Sequence, residues 1–508
     1  MNTSATKITA SSILLFETKI LMALIKDLRS ASALMDWDRE TYMPLGGAED
    51  RADQLATLDT LAHEYLTNEK AHELVKRIEN EILNCDPSEK PLFAVFLEDF
   101  EKATKLSSDL VGRTSKAQAL AQISWRKARE ENNFKLFSED LQKIIDLKIE
   151  AAECYGYSEN RYDALLDLFE PDVKASELRN VFNDLRKETI GILSQVKASH
   201  KEIDESCLFQ PYEESKQMEF AKFIAAQMGF DFNNGRLDLT THPFCTSFSV
   251  RDVRLTTRIY PNDIRSCLMG VIHEAGHGLY EQGFAKKYAR TFVADGASFG
   301  IHESQSLFWE KIIAGSEEFW HWAFPHLQKA FPEQTQQVTP RRFYEALNKI
   351  QPSFIRTEAD ELTYNLHIIL RFEIEDDLIN QRIKVSDIPE IWNAKMKESL
   401  GIVPAGDAEG CLQDVHWSFG GFGYFPSYTL GKLYSAMMWT QMQKEIPTVK
   451  SKIANGEFEP IKLWLGEKVH QYGRAEKPIQ LIKRITDRDL DANDFINGVK
   501  AKVQNIYG

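Results

Sequence analysis

Cysteine is scarce in this sequence, and no long apolar run is present. The six cysteines are spread from Cys85 to Cys411, and none forms a C-x-x-C pair. This spacing argues against a disulfide framework and favours a reducing compartment. No apolar stretch approaches the roughly 18 residues that a membrane span needs, and the charged N-terminal segment is a poor signal peptide. We therefore expect a cytoplasmic protein.

Basic residues are fewer than acidic ones, and the linker-forming residues proline and glycine are sparse. The chain has 61 Lys and Arg against 76 Asp and Glu, which gives a net charge of −15. This balance argues against nucleic acid and anionic membrane as main partners. Proline and glycine number only 17 and 26 in 508 residues. Because no Ser/Gly-rich linker, low-complexity tract or internal repeat stands out, the composition favours one continuous body.

Most of the chain has the pattern of amphipathic helices. Apolar residues recur at intervals of three and four between residues 20 and 35 and between residues 134 and 149. In TPRRFYEALNKI, Thr339 is a predicted N-cap and Pro340 takes the first helical position. Gly401 ends IPEIWNAKMKESLG where a C-terminal glycine is expected. The sequence therefore predicts a mainly helical fold.

One segment has a different period. Residues 250–261, VRDVRLTTRIYP, alternate with period two and are rich in β-branched residues, so we predict a strand. One face would carry Val253, Leu255, Thr257 and Ile259, and the other Arg254, Thr256, Arg258 and Tyr260. An edge strand beside a metal-binding helix pairs with an extended substrate in zinc peptidases. We therefore expect a small β-sheet beside the helix that follows.

That helix carries the motif H-E-x-x-H at residues 273–277. His273 and His277 are four residues apart and face the same way, so both imidazoles can reach one metal ion. Glu274 lies beside the metal, where it can take a proton from the attacking water. Gly276 and Gly278 each cost the helix about 1 kcal/mol relative to alanine. Close approach of a neighbouring backbone or of substrate would explain them.

A catalytic zinc site needs a third protein ligand and an open fourth position. The next helix-like run, residues 299–312, contains His302 and Glu303, which are adjacent, so only one can be the ligand. Glu310 is a further acidic candidate, and Glu281 is too close on the motif helix to close a tetrahedron well. By chemistry alone, His302 and Glu303 both remain open.

A set of ordered motifs resembles those of the M32 family of thermostable carboxypeptidases. The matches run from about residue 20 to about residue 435. They comprise LMDWDRETYMPLGGAEDRADQLATL (34–58), HPF (242–244), DVRLT (252–256), HEAGH (273–277), HESQ (302–305), IRTEAD (355–360), GCLQDVHW (410–417) and GFGYFPSYTLG (421–431). The segment SLFWEK (306–311) differs slightly from the form SRLWEN expected of that family.

The resemblance implies a fold, a cofactor and an assembly. Residues 1–508 are expected to form a single catalytic peptidase domain, with two helical halves around one groove as the alternative organisation. The fold would be all-α with a small β-sheet beside the zinc helix and a deep groove. Glu303 would be the third ligand of a Zn²⁺ ion, and Co²⁺ or Mn²⁺ also suits a His/His/Glu set. A homodimer is expected from the resemblance alone.

The expected activity is removal of single C-terminal amino acids from peptides with broad specificity. Glu274 would be the general base. His416 and Tyr424 are candidates to stabilise the oxyanion, against the alternative that both only pack in the core. Arg356 is the best candidate to bind the substrate carboxylate, because its planar fork suits a bidentate contact.

Arg254 is a second candidate for carboxylate binding. Its alternative role, an ion pair with a neighbouring acid such as Asp252, carries equal weight.

Two other functions fit the same motif. A helical zinc oligopeptidase or dipeptidyl carboxypeptidase would also accept a blocked C-terminus. An inactive metal-binding or peptide-binding protein would have no use for Glu274 beside the metal, since a structural zinc is closed by four ligands.

Overall fold

The computed structural model describes residues 10–508, which are mainly helical. The helices before the sheet are α1 (Ala10–Thr41), α2 (Ala48–Thr67), α3 (Glu69–Glu81), α4 (Lys90–Thr104), α5 (Ser108–Glu130), α6 (Lys135–Tyr155), α7 (Arg161–Leu166), α8 (Ala175–Ser199) and α9 (Glu214–Met228). The strands are β1 (Gly235–Leu239), β2 (Cys245–Ser249) and β3 (Asp252–Thr257).

The helices after the sheet are α10 (Ile264–Gln282), α11 (Phe299–Leu307), α12 (Glu317–Ala330), α13 (Pro332–Thr335), α14 (Pro340–Leu347), α15 (Tyr364–Ile379), α16 (Ile388–Leu400), α17 (Pro426–Glu445), α18 (Val449–Ala454), α19 (Glu459–Lys468), α20 (Pro478–Thr486) and α21 (Asn493–Tyr507). A π-helical turn, Phe308–Ile313, continues α11. Short 3₁₀ turns lie at Leu45–Gly47, Lys286–Tyr288, Arg356–Glu358, Val385–Asp387 and His470–Ala475. The predicted helical fold with one small sheet is confirmed.

The predicted helix ends are also confirmed. The Thr339 hydroxyl accepts a hydrogen bond from the Arg342 amide at 3.1 Å, and Pro340 begins α14. Gly401 ends α16 with φ 74°, in the left-handed region. These ends follow from local chemistry: an N-cap oxygen satisfies a free amide, and glycine enters the left-handed region without a Cβ clash.

The predicted strand exists, but its expected position at the edge of the sheet is wrong. The strand order is β1-β3-β2, so β3 is the central strand, parallel to β1 and antiparallel to β2. It is also shorter than predicted and ends at Thr257. Thr256, expected on the polar face, is buried, and its hydroxyl accepts a hydrogen bond from the Phe244 amide at 2.8 Å. Alternation along one strand does not say whether that strand has one neighbour or two.

Two hydrophobic cores support the fold. The larger core involves elements from α5 to α21, and it includes the buried faces of β3 and α10. The smaller core joins α1–α4 to Tyr288, Phe292 and Val293. Charged contacts connect α4 to the C-terminal part of the chain, for example Asp99 with Arg474 at 2.7 Å. Within residues 10–508, no helix combines the length and apolar character needed to cross a bilayer.

The two glycines of the motif helix allow close approach of its neighbours. A Cβ on Gly276 would lie 2.6 Å from both Gln305 O and Ser306 Cα, which belong to the backbone of α11. A Cβ on Gly278 would lie 2.6 Å from the Phe230 ring. The expected close approach of a neighbouring backbone is therefore confirmed for Gly276. It brings α10 and α11 together where the metal-ligand candidates project.

We expect Gly276→Ala to lower the free energy of unfolding by about 1–3 kcal/mol, because the new methyl group meets fixed backbone. The control is Gly191→Ala in α8, where an added Cβ has no neighbour within 4 Å. That change should raise stability by about 0.5–1 kcal/mol. Urea denaturation measures both. Equal stability of Gly276→Ala and the unchanged protein would contradict tight packing of α10 on α11.

Candidate metal centre and active site

Three candidate metal ligands meet where α10 faces α11. The Glu303 Oε2 atom lies 3.6 Å from His273 Nε2 and 3.5 Å from His277 Nε2. The potential ligand atoms all lie within 4.8 Å of one another. Ligands bound about 2.0–2.1 Å from a tetrahedral ion are about 3.3–3.5 Å apart. The spacing of these three side chains therefore fits a divalent metal with one position left open.

Both histidines have a partner for the ring nitrogen that faces away from Glu303. His273 Nδ1 lies 2.9 Å from Glu310 Oε2, and His277 Nδ1 lies 3.0 Å from the carbonyl oxygen of His302. With a proton on each Nδ1, these acceptors would be satisfied and the Nε2 lone pairs would be directed at the cluster. The Glu310 carboxylate and the His302 carbonyl thus hold both rings in orientations that suit metal binding.

Glu310 is carried by the π-helical turn after α11. Its Oε1 atom lies 2.6 Å from Lys311 Nζ. Burial opposes ionisation of Glu310, but Lys311 and His273 lower its pKa to about 2. The carboxylate therefore stays charged and able to hold His273. π-Helical turns often occur at functional sites.

His302 and Glu303 have different surroundings. His302 Nε2 lies 2.8 Å from Glu281 Oε1, and the His302 ring stacks on His277 with centroids 4.4 Å apart. Glu281 in turn accepts from the Ser247 hydroxyl of β2 at 2.7 Å. Chemistry alone left both residues as possible ligands. In the structure, Glu303 faces the histidine pair, whereas His302 packs behind it against the ring of His277.

Burial shapes the ionisation of this site. It lowers the pKa of His277 to about 3, which keeps the imidazole neutral and able to bind a metal. Burial also acts to raise the pKa of Glu303, but the two histidines lower it overall. Glu274 is 7% exposed, and burial raises its pKa to about 7. A carboxylate with such a pKa is suited to accept and return a proton near neutral pH.

A cavity of about 700 Å³ opens beside the cluster and is lined by His273, Glu274, His277 and Glu303. Aromatic side chains line it as well, among them Phe169, Phe299, Tyr424 and Tyr428. Residues 243–245, which lead into β2, complete one wall. The edge strand next to the candidate metal site is therefore β2, which the sequence pattern did not reveal. The volume is typical of a pocket for a small ligand or a peptide end.

Tyr424 and His416 lie at different depths. Tyr424 lines the cavity, and its ring packs edge-on against Phe169 and Phe299 at 5.2 and 5.3 Å. His416 is behind this wall, with Nε2 3.3 Å from the hydroxyl of Tyr428. Burial lowers the pKa of His416 to about 3, so its ring is neutral. His416 therefore reaches the cavity through Tyr428.

The two candidate arginines are engaged in ion pairs. Arg356 is 6% exposed, and its Nη2 and Nε atoms lie 2.7 and 3.0 Å from Asp414 Oδ1. Its Nη1 atom donates to the Tyr364 hydroxyl at 2.6 Å. The guanidinium carbon lies 5.0 Å from the centre of the Tyr428 ring, which lines the cavity. Arg356 is thus held directly behind the cavity wall.

Arg254 makes the ion pair that was its alternative role. Its Nε and Nη2 atoms lie 2.7 and 3.0 Å from the carboxylate of Asp252. The guanidinium stacks on Trp37 at 4.5 Å and on Phe248 at 5.2 Å. These contacts hold it between β3 and α1.

A family model described as Carboxypeptidase Taq (M32) metallopeptidase matches residues 17–503. Carboxypeptidase 1 of Bacillus subtilis is 39% identical over 487 residues, which are 96% of this chain and 97% of that protein. The chain belongs to the M32 metallocarboxypeptidase family.

Other M32 proteins are similar to this chain over nearly its full length. Thermostable carboxypeptidase 1 of Pyrococcus furiosus is 38% identical over 474 residues, 93% of this chain and 95% of that protein. The crystal structure of an M32 carboxypeptidase from Deinococcus radiodurans R1 has a TM-score of 0.95 at 33% identity and covers 98% of this chain and 100% of that one. The resemblance inferred from the motifs is confirmed. Because the family is one of metallopeptidases, it implies a divalent metal, which the three ligand candidates fit.

The sequence pattern does not assign two residues of this candidate site. Glu310 was considered only as a ligand, whereas it supports His273. Tyr428 was not singled out, although it follows Tyr424 by four residues in the same motif. That spacing was the available signal. The contact of Tyr428 with His416 depends on packing between distant segments.

We expect Glu310→Gln to weaken divalent-metal binding by about 10- to 100-fold, because an uncharged partner orients and polarises His273 less well. Competition with a fluorescent chelator measures the affinity. The control is Glu318→Gln, whose partner is Lys450 at 3.6 Å. Unchanged affinity in Glu310→Gln would show that the contact with His273 has no part in metal binding.

Proposed function

We propose that this M32 enzyme is a zinc-dependent carboxypeptidase that removes single amino acids from peptide C-termini with broad specificity. The observation that carries the proposal is the cluster of His273, His277 and Glu303 beside the buried Glu274 in one cavity. A closed structural zinc site would have a fourth protein ligand and no base. The two-histidine, one-glutamate set favours Zn²⁺, with Co²⁺ or Mn²⁺ as substitutes.

The hydrolytic step requires a base, and Glu274 is proposed for it. When bound, the metal polarises the scissile carbonyl and acidifies water. Glu274 takes the proton of the attacking water and passes it to the leaving amine. Its pKa, which burial raises to about 7, supports both halves of this transfer near neutral pH.

The oxyanion formed by attack needs hydrogen-bond donors, and Tyr424 is proposed as the direct one. Its position on the cavity wall supports this role. His416 is proposed to act with it by orienting the Tyr428 hydroxyl, 3.3 Å away. Donors fixed in advance stabilise developing charge without reorganisation.

The free C-terminal carboxylate of the substrate needs a cation, and Arg356 is proposed for it. Asp414 and Tyr364 fix the plane of the guanidinium, and two of its five N–H groups remain beyond these contacts. Binding would occur past the Tyr428 ring, which lies between Arg356 and the cavity. Arg254 is proposed as the second candidate.

The proposed partners are peptides with a free C-terminus. The homodimer expected from the family resemblance stays a prediction. An exposed apolar row on α1, made of Ile13, Phe16, Ile20 and Leu24, supports it, and sedimentation equilibrium tests it. A cytoplasmic location likewise stays a prediction, which cell fractionation tests.

The activity is tested with one peptide in two forms, with a free and with an amidated C-terminus. We expect the zinc-loaded enzyme to shorten only the free form, one residue at a time, as mass spectrometry can follow. Glu274→Gln should lower kcat about 10²- to 10⁴-fold because the base is lost, while metal content is unchanged. Internal cleavage of both forms would favour an oligopeptidase. Metal binding without cleavage of either form would favour an inactive binding protein.

Carboxylate recognition is tested with Arg356→Lys, which keeps the charge and loses the planar fork. We expect the KM for the free peptide to rise at least about 10-fold, as loss of one charge-assisted contact predicts. Arg254→Lys tests the second candidate in the same way, and little change is expected there because Arg254 pairs with Asp252. A raised KM in Arg254→Lys alone would transfer the role to Arg254. An unchanged KM in both variants would exclude both arginines.

A further inference from the structure

A second cavity, of about 590 Å³, lies among the π-helical turn after α11, α17 and α21. Its lining includes Lys311, Lys432 and Lys502 together with the apolar side chains of Trp439 and Phe495. The residues that line the cavity beside the metal cluster are different ones. Its volume is in the range of natural ligand pockets.

The acidic residues that line this second cavity all have cationic partners within 4 Å. These pairs are Glu317 with Arg341, Glu318 with Lys450, Glu361 with Lys502, and Asp494 with Arg488. The negative charge at the cavity wall is therefore already compensated.

Lys432 is the exception among the charged groups of this wall. It is 5% exposed, and its Nζ atom donates to the carbonyl oxygen of Glu361 at 3.0 Å and lies 4.1 Å from the centre of the Tyr364 ring. Among the residues the structure describes, no carboxylate comes within 4 Å of this ammonium group. A buried charge without a counter-ion is costly, and an anion relieves that cost.

A neighbouring positive charge adds to the cost of keeping the Lys432 ammonium group buried without a counter-ion. Burial first, and then repulsion from Lys311, lower the pKa of Lys432 to about 7. Lys311 lines the same cavity and has one contact at 2.6 Å, with Glu310. An ammonium group has three N–H donors, so Lys311 retains donors beyond the one used by Glu310. Two cationic groups thus act on the same space.

We propose that this second cavity binds a small oxyanion, a carboxylate or a phosphate, with Lys432 as the main contact and Lys311 as a second positive charge. A bound oxyanion would be the counter-ion of Lys432, and charge-assisted hydrogen bonds would hold it there. The apolar side chains of Trp439 and Phe495 would accommodate an aliphatic part of a carboxylate. This site is separate from the proposed catalytic chemistry and does not depend on it.

Isothermal titration of the metal-loaded protein with inorganic phosphate and with hexanoate tests the proposal. We expect saturable binding of at least one anion at this site. It should weaken at least about 10-fold in Lys432→Met, which keeps the length of the side chain and removes its charge, and be retained in Lys432→Arg. Tighter binding of hexanoate would mark a carboxylate site that uses the apolar wall, and tighter phosphate binding a simple oxyanion site.

The matched control is Lys450→Met, which removes a charge from the rim of the same cavity, where Lys450 already pairs with Glu318. Binding should change less than about two-fold there, since a screened surface pair contributes little. Circular dichroism and thermal unfolding check that each variant is folded. Should Lys432→Met lose its fold, the loss of binding is tested in Lys432→Gln. Equal binding by the unchanged protein and the folded Lys432→Met or Lys432→Gln variant, or no saturable binding of either anion, would overturn the proposal.

Discussion

The candidate metal centre depends on the close contact between the backbones of α10 and α11. A side chain at position 276 would collide with α11, so glycine is required there for the two helices to approach. This approach brings Glu303 within about 3.5–3.6 Å of both histidine Nε2 atoms. Gly431 lets a third helix, α17, pack against Glu303, because a Cβ there would lie 2.7 Å from Glu303 Cγ. Ligand geometry is thus set by how closely three helices pack.

Carboxylates in the layer behind the ligands fix their orientation. Glu310 holds His273, and Glu281 links His302 to β2. Glu170 is fully buried beneath the start of α11 and accepts a hydrogen bond from the Gly300 amide. Burial raises the pKa of Glu170 to about 7, while the hydrogen bond from the Gly300 amide stabilises its charged form. Support of this kind limits the movement of the metal-binding side chains.

The other side of the cavity rests on a buried network around Asp414. This carboxylate contacts both Arg356 and Arg371, which lower its pKa well below the usual range although burial opposes this. Glu375 accepts from the Trp417 indole at 2.8 Å and from the Gly423 amide at 3.0 Å, which fixes the loop before Tyr424. Buried ion pairs contribute little net stability, but they hold one geometry. The aromatic wall is therefore supported by polar contacts from behind.

Local patterns in the sequence are enough to predict the features that depend on neighbours along the chain. The pairing of His273 and His277, the place of Glu274 beside them and the helix ends at Thr339 and Gly401 follow from helical periodicity and capping. Long-range packing is responsible for the other features. It selected Glu303 over His302 as the residue that faces the histidines, made β3 the central strand, and set Arg356 behind Tyr428. These outcomes depend on packing between segments far apart in the chain, which local patterns do not encode.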